Sequence, residues 1–241
     1  MARKPRAKSE RSEAKAERAH PKPARIGTDR GKIIEAFMEL LAEERYEDIG
    51  LGEVAARAGV SLATLRGEFS STLEILAAQI KEIDREVLAG SGEDMAEEPP
   101  RERLFDVLMR RCEALTPYKD SVRSLLRSAQ TDPCLALALN ALAVRSMQWM
   151  LTAADINAAG PIGLIRAQGL AVLYARVLQT FVDDDEPGNA RTLAALDRAL
   201  ARGQRWVDAL DGLCRFVPGS FSRRRSRHMR HDEEGEEPVA I

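Results

Sequence analysis

From residue 28 to about 210, apolar residues return every three or four positions, the period of helices that each bury one face. Thr28-Asp29 is a helix start signal, and Ile33, Ile34, Phe37, Met38, Leu40 and Leu41 keep the period to about Glu44. Tyr46 and Ile49, in the following connection, are expected to pack back on this helix. Short helices are predicted over Leu51–Ala58 and from Ser61 to about Gly67. A longer one runs from Ser71 to Leu88 on Leu73, Ile75, Leu76, Ile80, Ile83 and Val87. After the loop GSGEDMAEEPP (90–100), helical patterns cover 101–115, 119–130 and 133–154, divided at Pro117 and Pro133. Gly160-Pro161 opens a strongly apolar helix to about Val182, and an amphipathic one runs from 189 to about 210. No alternating strand pattern and no internal repeat stands out. The class expected is all-α, with an N-terminal three-helix head carrying a helix-turn-helix (28–88) and a C-terminal helical bundle (101–211).

Composition agrees with that reading. Of 241 residues, 44% are hydrophobic but only 5% aromatic, and abundant Ala and Leu favour helix over strand. The formal net charge of −2 hides uneven placement: residues 1–30 hold ten Lys/Arg against four Asp/Glu. Residues 1–27 have no apolar face and are expected to form a disordered basic arm. A second charged segment, 218–241, joins SRRRSRHMRH to DEEGEE and is expected to be a disordered tail. His20, His228 and His231 all fall in these ends, leaving residues 28–217 without a histidine for acid–base chemistry or zinc ligation. With no Gly-rich phosphate loop and no GxSxG, neither an enzyme nor a cofactor or metal site is expected. Cys112, Cys134 and Cys214 show no CxxC spacing and read as reduced thiols. No apolar leader segment is seen, the run CLALALNALAV is short for a bilayer span and broken by Asn140, and a cytoplasmic protein is expected.

Candidate chemistry centres on VAARAGVSLATLRGEFSS (54–71). Val54, Ala55 and Ala58 give the first short helix an inner face, and Gly59 supplies a left-handed ending. Val60 fills the angle, Ser61 caps the next helix, and Leu65 and Phe69 point inward. Such a hairpin holds its second helix away from the body, where the outer residues can enter a major groove. Those outer residues are Leu62, Ala63, Thr64, Arg66 and Glu68. Ser61 and the free N–H groups at the helix start are suited to a phosphate.

Residues 29–80 resemble the N-terminal domain of TetR-family transcriptional regulators, in the first helix, the EVAARAGVS core, Phe69 and the Leu73/Leu76 continuation. The resemblance implies binding to double-stranded DNA, a homodimer built on the last two long helices, and an apolar effector in each bundle. The DNA contacts it implies are Ser61, Leu62, Ala63, Thr64, Arg66 and Thr72, with Arg30 and Lys32 near the first helix start. The chain departs from the family pattern at Arg66 (usually tyrosine), Glu68, Thr72 (usually lysine), Gly50 (usually a Ser/Thr cap) and Gly52. Glu68 is expected to repel a DNA backbone and Thr72 to lack a phosphate contact. The segments LTPY (115–118), SMQWMLTAADI (146–156) and 173–203 are similar to TetR-fold lipid-binding accessory proteins of ubiquinone biosynthesis, whose DNA head is degenerate. That similarity implies an alternative: a lipid-binding accessory protein with a vestigial head.

Met109, Met147, Trp149, Met150 and Leu173 are the candidate pocket lining, as soft apolar side chains or as ordinary core. Leu170, Leu173, Val177 and Leu178, set among small residues, together with Leu193, Leu196 and Leu200, read as a dimer face or an internal seam, with Trp206 over its end. The acidic loop 183–186 is expected to be solvated and to cap the next helix.

Overall fold

The computed structural model describes residues 27–90, 97–186 and 188–215, with side chains described as far as Gly203. The basic arm up to residue 26 and the tail from 218 lie outside the described residues, and Trp206 lies outside the described side chains. The elements in order are α1 (Asp29–Glu43), a 3-10 turn (Tyr46–Asp48), α2 (Leu51–Ala58), α3 (Leu62–Glu68), α4 (Thr72–Ala89) and α5 (Pro100–Leu115). A second 3-10 turn (Thr116–Tyr118) precedes α6 (Lys119–Thr131), α7 (Pro133–Ala153), α8 (Gly160–Val182) and α9 (Ala190–Arg215). Among the described residues the regular structure is helical throughout, as the periodicity predicts.

Local chemistry sets the boundaries. The Thr28 hydroxyl accepts the Gly31 N–H at 3.2 Å and starts α1. Asp132 accepts the N–H groups of Cys134 and Leu135 at 2.8 and 3.1 Å, while Pro133 occupies the first position of α7, where no donor is needed. Gly163 is required by a close approach: a Cβ there would lie 2.1 Å from the Ala158 carbonyl carbon. Any larger residue would have to push the α7–α8 connection away.

The head forms around α1. Ile33, Phe37, Leu40 and Leu41 are fully buried with Val54, Leu65, Phe69 and Ile75, each side chain contributing about 1.5–3 kcal/mol by leaving water. Tyr46 packs edge-on against Phe37, ring centroids 6.3 Å apart, and Ile49 is buried, so the connection folds back on α1 as expected. α1 packs on α6 of the bundle as well as on α2 and α4. Three serines of α6 finish that contact. Ser121 and Ser124 donate to the carbonyls of Met38 and Glu44 at 2.7 and 2.6 Å, and Ser128 accepts the Tyr46 N–H at 3.1 Å. In the bundle, α7 and α8 pack together and exchange two amide hydrogen bonds, Asn140 to Gln168 at 3.0 Å and the reverse at 2.9 Å.

The acidic loop is solvated at Asp183, Asp185 and Glu186, as expected, and departs from that state at one residue. Asp184 is wholly buried, accepting the N–H and hydroxyl of Thr192 at 2.7 Å each and the Glu186 N–H at 3.2 Å. Burial pushes its carboxyl up, but the Thr192 and Glu186 donors and nearby Lys119 outweigh that and hold it below its ordinary value. Lys119 in turn donates to the Asp184 carbonyl at 2.6 Å and lies 4.6 Å over the Phe181 ring. The loop does cap α9, and it does so from inside.

Candidate nucleic-acid interface

The α2–α3 hairpin has the geometry its residues dictate. Gly59 takes φ +66°, and its N–H closes α2 on the Ala55 and Ala56 carbonyls. Ser61 then starts α3 by accepting the Thr64 N–H at 3.0 Å, its hydroxyl also lying 2.9 Å from that of Thr64. Leu65 and Phe69 anchor α3 in the core, and Leu62, Ala63 and Arg66 face outward, Leu62 being 60% exposed. Thr64 is half-buried beside the cap. A seven-residue helix held by two buried side chains thus presents its opposite face.

Several side chains expected at DNA are already engaged. The Arg30 guanidinium sits 4.4 Å over the Phe69 ring and 3.5 Å from the Glu68 carboxylate. Lys32 donates to Asp29 at 2.9 Å. The Thr72 hydroxyl is 3.1 Å from that of Tyr46, tied to the head rather than free at the start of α4. Arg66 donates to the Ser70 hydroxyl at 3.0 Å. Glu68, read from sequence as a bare repulsive charge, is therefore partly neutralised by Arg30. Its partner lies 38 positions earlier, beyond the reach of any local spacing rule. Behind the hairpin, Arg57 of α2 clasps Glu43 of α1 through two bonds of 3.1 and 2.9 Å. The Arg57 hydrogen bond and charge hold the Glu43 carboxyl below its ordinary value.

The candidate pocket residues separate. Met147, Met150 and Met109 are buried in the bundle core and Leu173 half-buried, but Trp149 is 56% exposed. Helical geometry explains the exception: residues 147 and 150 share a face, and 149 is turned away from it. The seam also divides. Leu170, Val177, Leu196 and Leu200 are buried within the chain, while Ile162, Ile165, Val172 and Leu193 are exposed. An open groove of about 440 Å³ lies at the α8–α9 end, bordered by Thr180, Glu186, Arg191 and Arg198.

One buried polar node escaped the sequence reading. Arg111 of α5, its side chain 7% exposed, pairs with Asp84 of α4, which also accepts the Ser146 hydroxyl of α7 at 2.7 Å. The guanidinium lies 5.7 Å from the Tyr174 ring centroid, and the Tyr174 hydroxyl is 3.5 Å from the Cys112 sulfur. Burial pushes the Cys112 thiol up to about 11, leaving it un-ionised at neutral pH. A signal was available: Asp84 falls on the Ile80–Val87 stripe and Arg111 on the Leu108–Leu115 stripe. Opposite charges inside two apolar stripes ask for each other.

Comparison with protein-family models finds no match, and comparison with characterised proteins finds none either. Solved structures do match. A TetR transcriptional regulator from Nitrosomonas europaea superposes with a TM-score of 0.58 at 22% identity, over 73% of this chain and 97% of its own. A TetR-family transcriptional regulator from Streptomyces coelicolor gives 0.50 at 14% identity, over 78% and 86%. The chain has the all-α TetR-regulator fold, helix-turn-helix head and helical bundle together.

Proposed function

We propose that this chain, with its TetR-regulator fold, acts as a homodimeric DNA-binding transcriptional regulator, repressing by occupying its site and released by an apolar effector. The observation that carries the reading is α3, anchored by Leu65 and Phe69 while Leu62, Ala63 and Arg66 face outward. Ser61, Thr64 and Arg66 are the leading contacts, the first through the helix N-terminus it caps. Dimerisation is supported by Ile162, Ile165, Gly169 and Val172, exposed at spacings of three and four along α8, with Leu193 exposed on α9. The effector reading rests on Met109, Met147 and Met150, unbranched side chains that can rearrange around an apolar guest. A cytoplasmic location goes with this role.

The test is selection of genomic fragments by purified protein at about 0.15 M salt, where nonspecific binding is weak. A pseudo-palindromic site is the expected recovery, lost in Arg66→Ala. The neutralised surroundings of α3 favour one other reading, a lipid-binding accessory protein with a vestigial head. A folded dimer that recovers no fragment and carries an organic-soluble lipid would replace the regulator with that reading.

A further inference from the structure

The buried node of Asp84, Arg111, Ser146 and Tyr174 draws side chains from α4, α5, α7 and α8 to one place. Arg111 Nη1 and the Ser146 hydroxyl both donate to the same oxygen of Asp84, Oδ1. The Nε–H of Arg111 is buried as well, and among the described residues it has no hydrogen-bond partner. The Tyr174 hydroxyl is little better served: its neighbour is the Cys112 sulfur at 3.5 Å, a weak donor and a weak acceptor. Burial pushes that hydroxyl well above its ordinary value, so it keeps its proton and stays a donor. Arg111 and Tyr174 are only 6% and 4% exposed, which keeps bulk water from both. Buried donors are met in nearly all folded proteins, and one left unmet has given up its hydration for nothing. A structural pair with Asp84 uses Nη1; it accounts for neither Nε nor the tyrosine hydroxyl.

The surroundings of these two donors are apolar. Met109 of α5 and Met147 and Met150 of α7 belong to the same buried cluster as Tyr174. Met150 follows Ser146 by one turn on the same face of α7. The charge of the node is already balanced, since Asp84 matches Arg111. A carboxylate brought here would be a second anion facing one cation in a site without water, and its desolvation would go uncompensated. A neutral carbonyl oxygen adds no charge and has two lone pairs, enough for one N–H and one O–H.

We infer that the bundle takes a neutral apolar molecule bearing a carbonyl oxygen, which accepts from Arg111 Nε–H and the Tyr174 hydroxyl while the apolar body lies against Met109, Met147 and Met150. The inference rests on the apolar-effector reading above and names the chemical class of that effector. It divides the work of Arg111: Nη1 holds Asp84, and Nε recognises the guest. An anion is refused by charge, and a hydrocarbon of the same shape gains nothing from either donor.

The test uses three ligands of nearly one shape, acetophenone, isopropylbenzene and benzoate, each titrated into the full-length chain and followed by ligand-detected NMR. Tyr174→Phe removes one donor with little change of shape. Arg111→Met combined with Asp84→Leu removes the other without leaving an unpaired charge. In each variant the Kd for acetophenone should rise about 10-fold, while that for isopropylbenzene stays within about 2-fold. Benzoate should bind the wild-type chain at least ~10-fold more weakly than acetophenone. Tyr174→Phe, which loses only a hydroxyl, decides the matter if the double variant does not fold. Should acetophenone bind wild type and variants alike, the node is packing alone and the carbonyl inference fails, while the effector reading stands. Benzoate binding tighter than acetophenone would overturn the neutral class. If none of the three binds the wild-type chain, the inference and the effector part of the reading fall together, and fragment selection still tests DNA binding on its own.

Discussion

The surface of the head and its junction with the bundle use ion pairs for opposite purposes. In the head, Arg57–Glu43, Lys32–Asp29 and Arg30–Glu68 lie at the surface, where water already solvates both partners and a pair adds little stability. Their effect is on the field: they cancel cations on the surface of the head. Where α4 meets the bundle, Asp84–Arg111 is taken out of water, and Ser146 shares the carboxylate. Desolvation makes that pair costly to break and gives α4, α5 and α7 one mutual register. The same two residue types tune a surface in one region and fix a packing in the other.

The largest break in this contrast is Arg111→Met. It leaves Asp84 buried without its cation, and urea denaturation should show a loss of about 3–5 kcal/mol. Adding Asp84→Leu should restore most of it, because an apolar pair needs no desolvation. A double variant as unstable as the single one would mean that the pair is not what the single change disturbed.

Asp184→Asn is the intermediate case, with an expected loss of about 1–3 kcal/mol at neutral pH from the weakened capping network. The Asp184 carboxyl is held below its ordinary value in the fold, so the unfolded chain binds its proton first as pH falls. The stabilisation is therefore complete above the unfolded value, about pH 4, and is lost as pH drops through the lower folded value. Denaturation at about pH 7 and near pH 3 should show a wider gap between wild type and variant at the first than at the second. An equal gap at both would remove the carboxylate from the explanation.

Glu43→Gln sharpens the comparison from the weak end. Its partner Arg57 stays solvated, so the denaturation midpoint should move within error. Freeing one cation should instead steepen the salt dependence of duplex binding slightly. A clear destabilisation would show that the α1–α2 clasp holds the head together, which would put a surface pair in the role assigned to the buried one.

The fold was largely legible in the chain because its information is local. Helix starts at Thr28, Ser61 and Ser71, the Gly59 stop and the three-to-four spacing of Ile33, Phe37 and Leu41 all operate within one or two turns. The site was legible in part. That α3 faces outward follows from Leu65 and Phe69, and Ser61 was readable as its cap. That Thr72 is tied to Tyr46, or Glu68 to Arg30, was not readable, because the partners are 26 and 38 positions apart.

By itself, then, the sequence determined the helices, their buried faces, the hairpin and the placement of charge along the chain, since propensity, capping and period are short-range properties. Tertiary structure decided which charges are paired and which are presented. It drew Asp184 under its loop, turned Trp149 outward while Met147 and Met150 filled the core, and joined Asp84 to Arg111 across two helices. Pairing and desolvation depend on distance in space, and only the folded packing sets those distances.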